Sequence, residues 1–208
     1  IGFKQNWERL IKRKGYQLIH GRLIKVSEVG LKGKHEIVVQ SNDTDKVQVE
    51  RHKTAIDRHR LSAPMVSLAR HDFLNQKHSI FDYGCGKGDD LRELQAHGIN
   101  ANGWDPAYFP ENEKIKQDIV NLGFVINVIE DPKERQDCLL DAYCLTKKLL
   151  VVSAMLGGPK LIEQFQLHGD GVITSRNTFQ KYYSQTELKY YIEQTLRTTP
   201  VAVGPGIF

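Results

Sequence analysis

IFDYGCGKGDD, residues 80–90, is a short apolar run that breaks into three alternating glycines and then two carboxylates. An apolar run of this length cut off by glycines reads as a buried strand leading into a tight turn. Gly84, Gly86 and Gly88 allow the chain to turn sharply and a ligand to approach the backbone closely. A helix is predicted over 89–97. Its first turn carries Asp89 and Asp90, which suits the positive end of a helix dipole, and Gly98 is the expected C-cap. A glycine loop between a strand and a helix is the context that makes such a motif meaningful.

Downstream the alternation continues. Strands are predicted at 101–105, 118–125 and 148–154, helices at 133–146 and 185–196, and a last strand from 201 to 208. Asp131, just before Pro132, is the expected N-cap of the first of these helices. Alternating strands and helices predict a mostly parallel sheet with helices on both faces, a three-layer α/β sandwich. The segment between Asp105 and Asp118 is short, so one strand and its helix are abbreviated or absent. Upstream, 64–75 reads as a helix and RHKTAIDRHR (51–60) as a dense basic link. Residues 1–50 read as a small α+β appendage. Phe3, Trp7, Leu10 and Ile11 have helical spacing, 16–26 looks like a hairpin half turning at Gly21, and 36–40 and 46–49 are β-branched runs. The chain divides on this basis into 1–50, 51–78 and 79–208.

The loop chemistry narrows the ligand. A dinucleotide fingerprint needs G-x-G-x-x-G, and here Asp89 stands where its third glycine belongs. Two carboxylates at the helix start repel a pyrophosphate that the helix N-terminus would otherwise attract. No G-K-[ST] is present, which excludes a P-loop. S-adenosylmethionine carries a sulfonium and an ammonium and no phosphate, so an acid such as Asp82 beneath the loop is electrostatically sensible. Asp105 closes the next strand in GWDP, 17 residues after Gly88, where an acid can accept ribose hydroxyls. The expected cofactor residues are Asp82, Tyr83, Gly84, Cys85, Gly86, Gly88, Asp105, Pro106, Asn121 and Leu122.

DYGCGKG resembles the D-x-G-x-G-x-G motif of class I S-adenosylmethionine-dependent methyltransferases, and DIVNLGFVINVIEDP (118–132) resembles their fourth-strand segment. Several phrases taken in order are similar to the methyltransferase family associated with DNA phosphorothioation: RHKTAI (51–56), FDYGCGKGDD, GWDP, LLVVSA, GDGVITSRNTFQKYY (169–183) and the terminal PGIF. They cover about residues 50–208. The resemblance implies a Rossmann-like methyltransferase fold, S-adenosylmethionine as cofactor, and a bacterial setting beside DNA modification and defence, with defence-system proteins as partners.

Charge is uneven. Residues 1–60 hold 14 Lys and Arg against 7 Asp and Glu, whereas 61–208 hold 15 against 18. A basic front can neutralise phosphates, so nucleic acid is a candidate partner. Arg51, His52 and Lys53 are candidate phosphate or carboxylate contacts, as are Thr174, Arg176, Gln180 and Lys181 in the polar stretch that follows the strand at 148–154. Asn127, Glu130, Asp170 and Tyr182 are the catalytic candidates. Methyl transfer needs a general base only when the nucleophile is protonated. No [DNS]-P-P-[YF] turn and no Pro-Cys nucleophile is present, so amino-methylating and cytosine-C5 DNA chemistry are not indicated.

Cys85, Cys138 and Cys144 give an odd count with no paired spacing, which argues against a disulfide framework and a zinc site and suits a reducing cytoplasm. Hydrophobic residues make up 40% and charged residues 26%, and no apolar run reaches the roughly 18 residues of a membrane span. No signal peptide is recognisable. Opening on Ile1 and closing on Phe208, the chain looks like part of a longer protein. The expected function is methyl transfer to nucleic acid or to a product of DNA modification. The alternatives are a non-catalytic S-adenosylmethionine- or DNA-binding module and a small-molecule methyltransferase.

Overall fold

The computed structural model describes residues 16–19, 22–25, 49–55, 57 and 60–208. Ile1–Asp45 and Lys46–Phe208 are separate compact units. In the first, β1 (Tyr16–Ile19) and β2 (Arg22–Lys25) pair antiparallel with Ile19 opposite Arg22, so the predicted hairpin half is a complete short hairpin. The helix expected near Phe3 and the β-branched run at 36–40 lie outside the described residues, as does most of the run at 46–49.

The second unit is built on four strands: β3 (Ile80–Tyr83), β4 (Ala101–Trp104), β5 (Gln117–Gly123) and β6 (Thr146–Ser153). They lie in the order β4-β3-β5-β6, and every pair is parallel. Alternate side chains face opposite sides of the sheet. Ile80, Ile119 and Val151 enter one core with Met65, Leu68, Leu91 and Leu94. Phe81, Val120 and Val152 enter the other with Leu139, Ala142, Leu188 and Ile192. The first core is closed by α1 (Ala63–Arg70) and α2 (Asp89–Ala96), the second by α3 (Pro132–Cys144), with α4 (Pro159–Ile162) a single short turn and α5 (Gln185–Leu196) beside α3. This is the expected Rossmann-like three-layer arrangement. Only irregular chain, residues 105–116, separates β4 from β5, so no strand and helix are interposed there.

Local signals account for the helix ends. Gly98 is left-handed at φ +71°, and the Ile99 amide donates to Leu94, a C-terminal closure of the Schellman type. Asp131 accepts the Lys133 amide at 2.8 Å, the anticipated N-cap. The helix expected over 64–75 ends instead at Arg70. Asp72 takes a left-handed φ of 60°, and the Phe73 amide closes back on Leu68.

The polar stretch after β6 forms a three-stranded antiparallel sheet: β7 (Gln166–His168), β8 (Gly171–Ile173) and β9 (Phe179–Gln180). At the chain end, Phe208 exchanges backbone hydrogen bonds with Val152 at 2.9 and 3.0 Å, covering part of the β6 edge in place of a full last strand.

Candidate functional site

The sheet order reverses between β3 and β5, because β4 lies on one side of β3 and β5 on the other. In open α/β sheets the crevice beyond the carboxyl ends of such strands is the usual ligand site. A cavity of about 570 Å³ lies here, lined by the glycine loop, by Asp105 and its neighbours after β4, by Gly123–Val125 after β5, and by one face of α3.

The loop's glycines adopt left-handed conformations that other residues take up only rarely. Gly84 has φ +76°, and a Cβ there would lie 2.4 Å from Val125 Cγ2. Gly86 has φ +54°, and Ala55 packs within 3.3 Å of where its Cβ would be. Asp105 braces the loop from the side. Its Oδ2 accepts the Gly86 amide at 3.0 Å, and its Oδ1 accepts the Ala107 and Tyr108 amides at 2.9 and 3.1 Å. A carboxylate offers about four acceptor positions, so capacity remains for a ligand hydroxyl.

Asp82 lies under the loop at 4% exposure. Parallel pairing of β3 with β5 sets Asn121 opposite it, and Asn121 Nδ2 donates to Asp82 Oδ1 at 2.8 Å. Asn121 Oδ1 is buried without a hydrogen-bond partner, and so is Ser62 Oγ. Both residues line the cavity. A buried acceptor left unpaired costs free energy, so this pair of atoms fits a ligand that brings donors. Asp90 is 5% exposed and accepts the Ser62 amide at 2.8 Å, which ties α2 to the start of α1.

The basic link crosses the same region. Arg51 lies on a 3-10 turn, Arg51–Thr54, that also carries His52 and Lys53. Its Nε donates to Glu130 at 2.8 Å and its two terminal nitrogens to Glu134 at 2.5 and 2.7 Å. The Glu134 hydrogen bonds raise the guanidinium above its ordinary value. Lys53 pairs with Glu50, and Lys87 of the glycine loop with Asp57 at 2.8 Å. Arg51 lines the cavity, with its guanidinium held by acids.

On the α3 side, Tyr83 donates to Asp141 at 2.7 Å, and Lys114 Nζ lies 2.6 Å from Asp141 and 2.8 Å from the Tyr83 hydroxyl. Burial, followed by the Asp141 hydrogen bond, drives the Tyr83 hydroxyl well above its usual range. Burial pushes the Cys138 thiol up to about 12, and it raises the Cys85 thiol as well, so neither is a ready thiolate.

Of the expected cofactor residues, Asp82, Tyr83, Gly84, Cys85, Gly86, Asp105, Pro106 and Asn121 line the cavity. Gly88 caps α2 at φ +76°, and Leu122, fully buried, faces the opposite core. Glu130 touches the cavity wall through Arg51. The other catalytic candidates lie in a network that fastens the β7–β9 sheet to α3. Arg135, 2% exposed, donates to Asp170 at 2.7 and 3.0 Å and to the Ile129 carbonyl. Lys181 pairs with Asp170 at 3.2 Å and Glu187 at 2.9 Å, and its amide donates to the Asn127 carbonyl at 2.7 Å. Asn127 meets Gln180 at 3.4 Å, and Tyr182 stacks on Phe165. Thr174 shares a 2.7 Å hydrogen bond with Thr178 across the β8–β9 turn, on which Arg176 is exposed.

Lining residues that the sequence did not suggest include Ser62, Trp104, Lys114, Glu134, Cys138 and Asp141. Residues 134, 137, 138 and 141 share one helix face, a spacing that could have marked them. Among the described residues no group of three or more His, Cys, Asp or Glu is placed to hold a metal ion, and no helix is long and apolar enough to cross a membrane.

The acidic network predicts a pH response. Burial pushes Asp170 up, but the Arg135 hydrogen bond and the Arg135 and Lys181 charges bring it below its ordinary 3.8. Asp141 is likewise lowered, burial being outweighed by Lys114 and Tyr83. Stability from such carboxylates is complete above the unfolded value and is lost as pH falls through the lower folded one. Urea midpoints are therefore expected to change little through these groups from pH 7 to 5 and to drop below about pH 4, with a smaller drop in Asp170→Asn.

No family model matches this chain, and no curated protein does. Solved structures with similar folds include a 1,6-didemethyltoxoflavin-N1-methyltransferase from Burkholderia thailandensis with bound S-adenosylhomocysteine. It is 16% identical with a TM-score of 0.47, over 67% of this chain and 69% of that one. A SAM-dependent methyltransferase from Methanosarcina mazei is 17% identical with a TM-score of 0.48, over 61% and 82%. Another, from Archaeoglobus fulgidus, is 17% identical with a TM-score of 0.43, over 64% and 68%.

Proposed function

We propose that this chain is an S-adenosylmethionine-dependent methyltransferase. The observation that carries the proposal is the cavity at the β3–β5 reversal, where a glycine loop of bare backbone lies over buried Asp82 and the unpaired Asn121 Oδ1. Seven carboxylates line that cavity against three basic side chains, a balance that suits a sulfonium and an ammonium and opposes a pyrophosphate.

S-adenosylmethionine supplies an activated methyl group on its sulfonium. Asp82 and Asn121 Oδ1 would hold the ammonium of its amino-acid tail, and the remaining acceptor capacity of Asp105 would take a ribose hydroxyl. Gly84 and Gly86 admit the ligand to the backbone, and the link at Arg51 and Ala55 narrows the mouth against water. The protein's task is then to position two reactants, which can supply several kcal/mol of a barrier. Of the predicted acid–base groups, Glu130 is held beside the cavity by Arg51.

Nucleic acid as acceptor is a second reading, favoured by the basic excess of residues 1–60. In that case the basic residues of that segment would neutralise phosphates. The phrase-level resemblance supports a bacterial setting linked to DNA modification and defence, with defence-system proteins as partners, and the sparse, unpaired cysteines suit a reducing cytoplasm. The test is incubation with methyl-labelled cofactor and separated nucleic acid, protein and metabolite fractions. Label in any fraction supports transfer, and label in DNA or RNA supports the second reading. Cofactor binding with no labelled fraction favours a non-catalytic binding module, and absence of binding refutes the proposal.

A further inference from the structure

One wall of the cavity is an aromatic and anionic box that already holds a cation. Tyr83 ends β3, Trp104 ends β4 and Asp141 lies on α3, so three regular elements fix the box. Lys114 Nζ lies 4.0 Å over the Trp104 ring and 4.7 Å over the Tyr83 ring, and 2.6 Å from Asp141 Oδ2. All four residues line the cavity. Lys114 itself belongs to no helix or strand, and its side chain is 32% exposed. The holder is thus rigid, and its occupant hangs on a flexible side chain from irregular backbone.

We propose that the Tyr83–Trp104–Asp141 box is a subsite for an organic ammonium group, with Lys114 as an internal cation that the ligand displaces. Aromatic faces attract cations through the ring quadrupole, most strongly when water is excluded, and such cages suit alkylated ammonium. The carboxylate sets the sign of the ligand. Withdrawing Lys114 leaves the Asp141 carboxylate, 43% exposed, with the Tyr83 hydroxyl and water but no cation. An incoming cation restores the balance, and a neutral or anionic group does not. With the cofactor's own ammonium at Asp82 and Asn121, the ammonium that fits the box is that of an amine-bearing methyl acceptor. Assigning that source rests on the proposed function, whereas the box rests on geometry alone.

The test uses the full chain carrying Lys114→Ala, with Trp7→Phe leaving Trp104 as the sole tryptophan of the two. n-Butylammonium and tetramethylammonium chlorides are titrated against matched sodium chloride while Trp104 fluorescence is followed. Saturable quenching is expected, at least ten-fold tighter than with Lys114 present, and lost on adding Asp141→Asn. A folded Lys114→Ala protein with no saturable response, or one whose response survives Asp141→Asn, overturns the proposal. Should Lys114→Ala not fold, the Trp104 indole N–H resonance of the unmodified chain is followed instead. A shift with butylammonium and none with sodium supports the box, and equal spectra overturn it. S-adenosylhomocysteine checks the source: joint binding with butylammonium indicates an acceptor, and competition puts the cofactor's tail in the box and overturns the acceptor assignment. Calorimetry with S-adenosylmethionine is run in parallel. Failure of the box leaves that affinity intact, and failure of the functional reading removes it while butylammonium still binds.

Discussion

Asp82→Ala is expected to weaken S-adenosylmethionine binding about a hundred-fold, or ~3 kcal/mol, in calorimetric titration. Asp82 is buried at the root of the glycine loop and hydrogen-bonded to Asn121 across the β3–β5 pair. A carboxylate in that position attracts the ligand's cationic tail through protein rather than water, where charges are poorly screened. Truncation removes the charge and releases Asn121, whose Oδ1 already lacks a partner. Asp82→Asn keeps the shape and removes the charge, so its loss should be intermediate, about ten-fold. Equal affinity in all three proteins would mean that the ligand does not use this acid.

Arg135→Met is expected to cost about 1–3 kcal/mol of stability, below the range for a fully buried ion pair because Asp170 is 40% exposed, measured as a lower urea midpoint. Arg135 is 2% exposed and serves Asp170 and the Ile129 carbonyl together. Met keeps much of the volume, so the loss reports on the stranded partners more than on a cavity. Lys181 remains beside Asp170 and limits the damage. Arg135 does not line the cavity, so S-adenosylmethionine affinity of the folded protein should change little. A variant of normal stability, or one stable but unable to bind, would contradict the assignment of this network to holding β7–β9 against α3.

How much of this was legible from residues alone follows the range of the forces involved. The strand, glycine loop and helix at 80–98 are set by local backbone chemistry, and Gly84, Gly88, Gly98 and Asp131 adopt the conformations their residue types favour. Asp82 and Asn121 were each legible as cofactor residues, but their pairing was not, because strand order decides it. The β7–β9 sheet was not legible, because its strands are only two or three residues long and sit among polar residues that suit a loop as well. The long-range pair of Asp170 with Arg135 helps decide their state. Lys114 carries no local signal at all. Its role depends on Trp104 and Asp141, which converge on it from distant parts of the chain.

The central claim is that the glycine loop cradles S-adenosylmethionine. Glycine-selective ¹⁵N labelling gives a spectrum of 17 resonances, simple enough to follow one amide at a time during titration with S-adenosylhomocysteine. The largest shifts are predicted at Gly84, Gly86 and Gly88, with Gly123 next and Gly158, Gly169 and Gly171 unmoved. Saturation with those loop amides unchanged, or shifts confined to the β7–β8 glycines, would contradict the account.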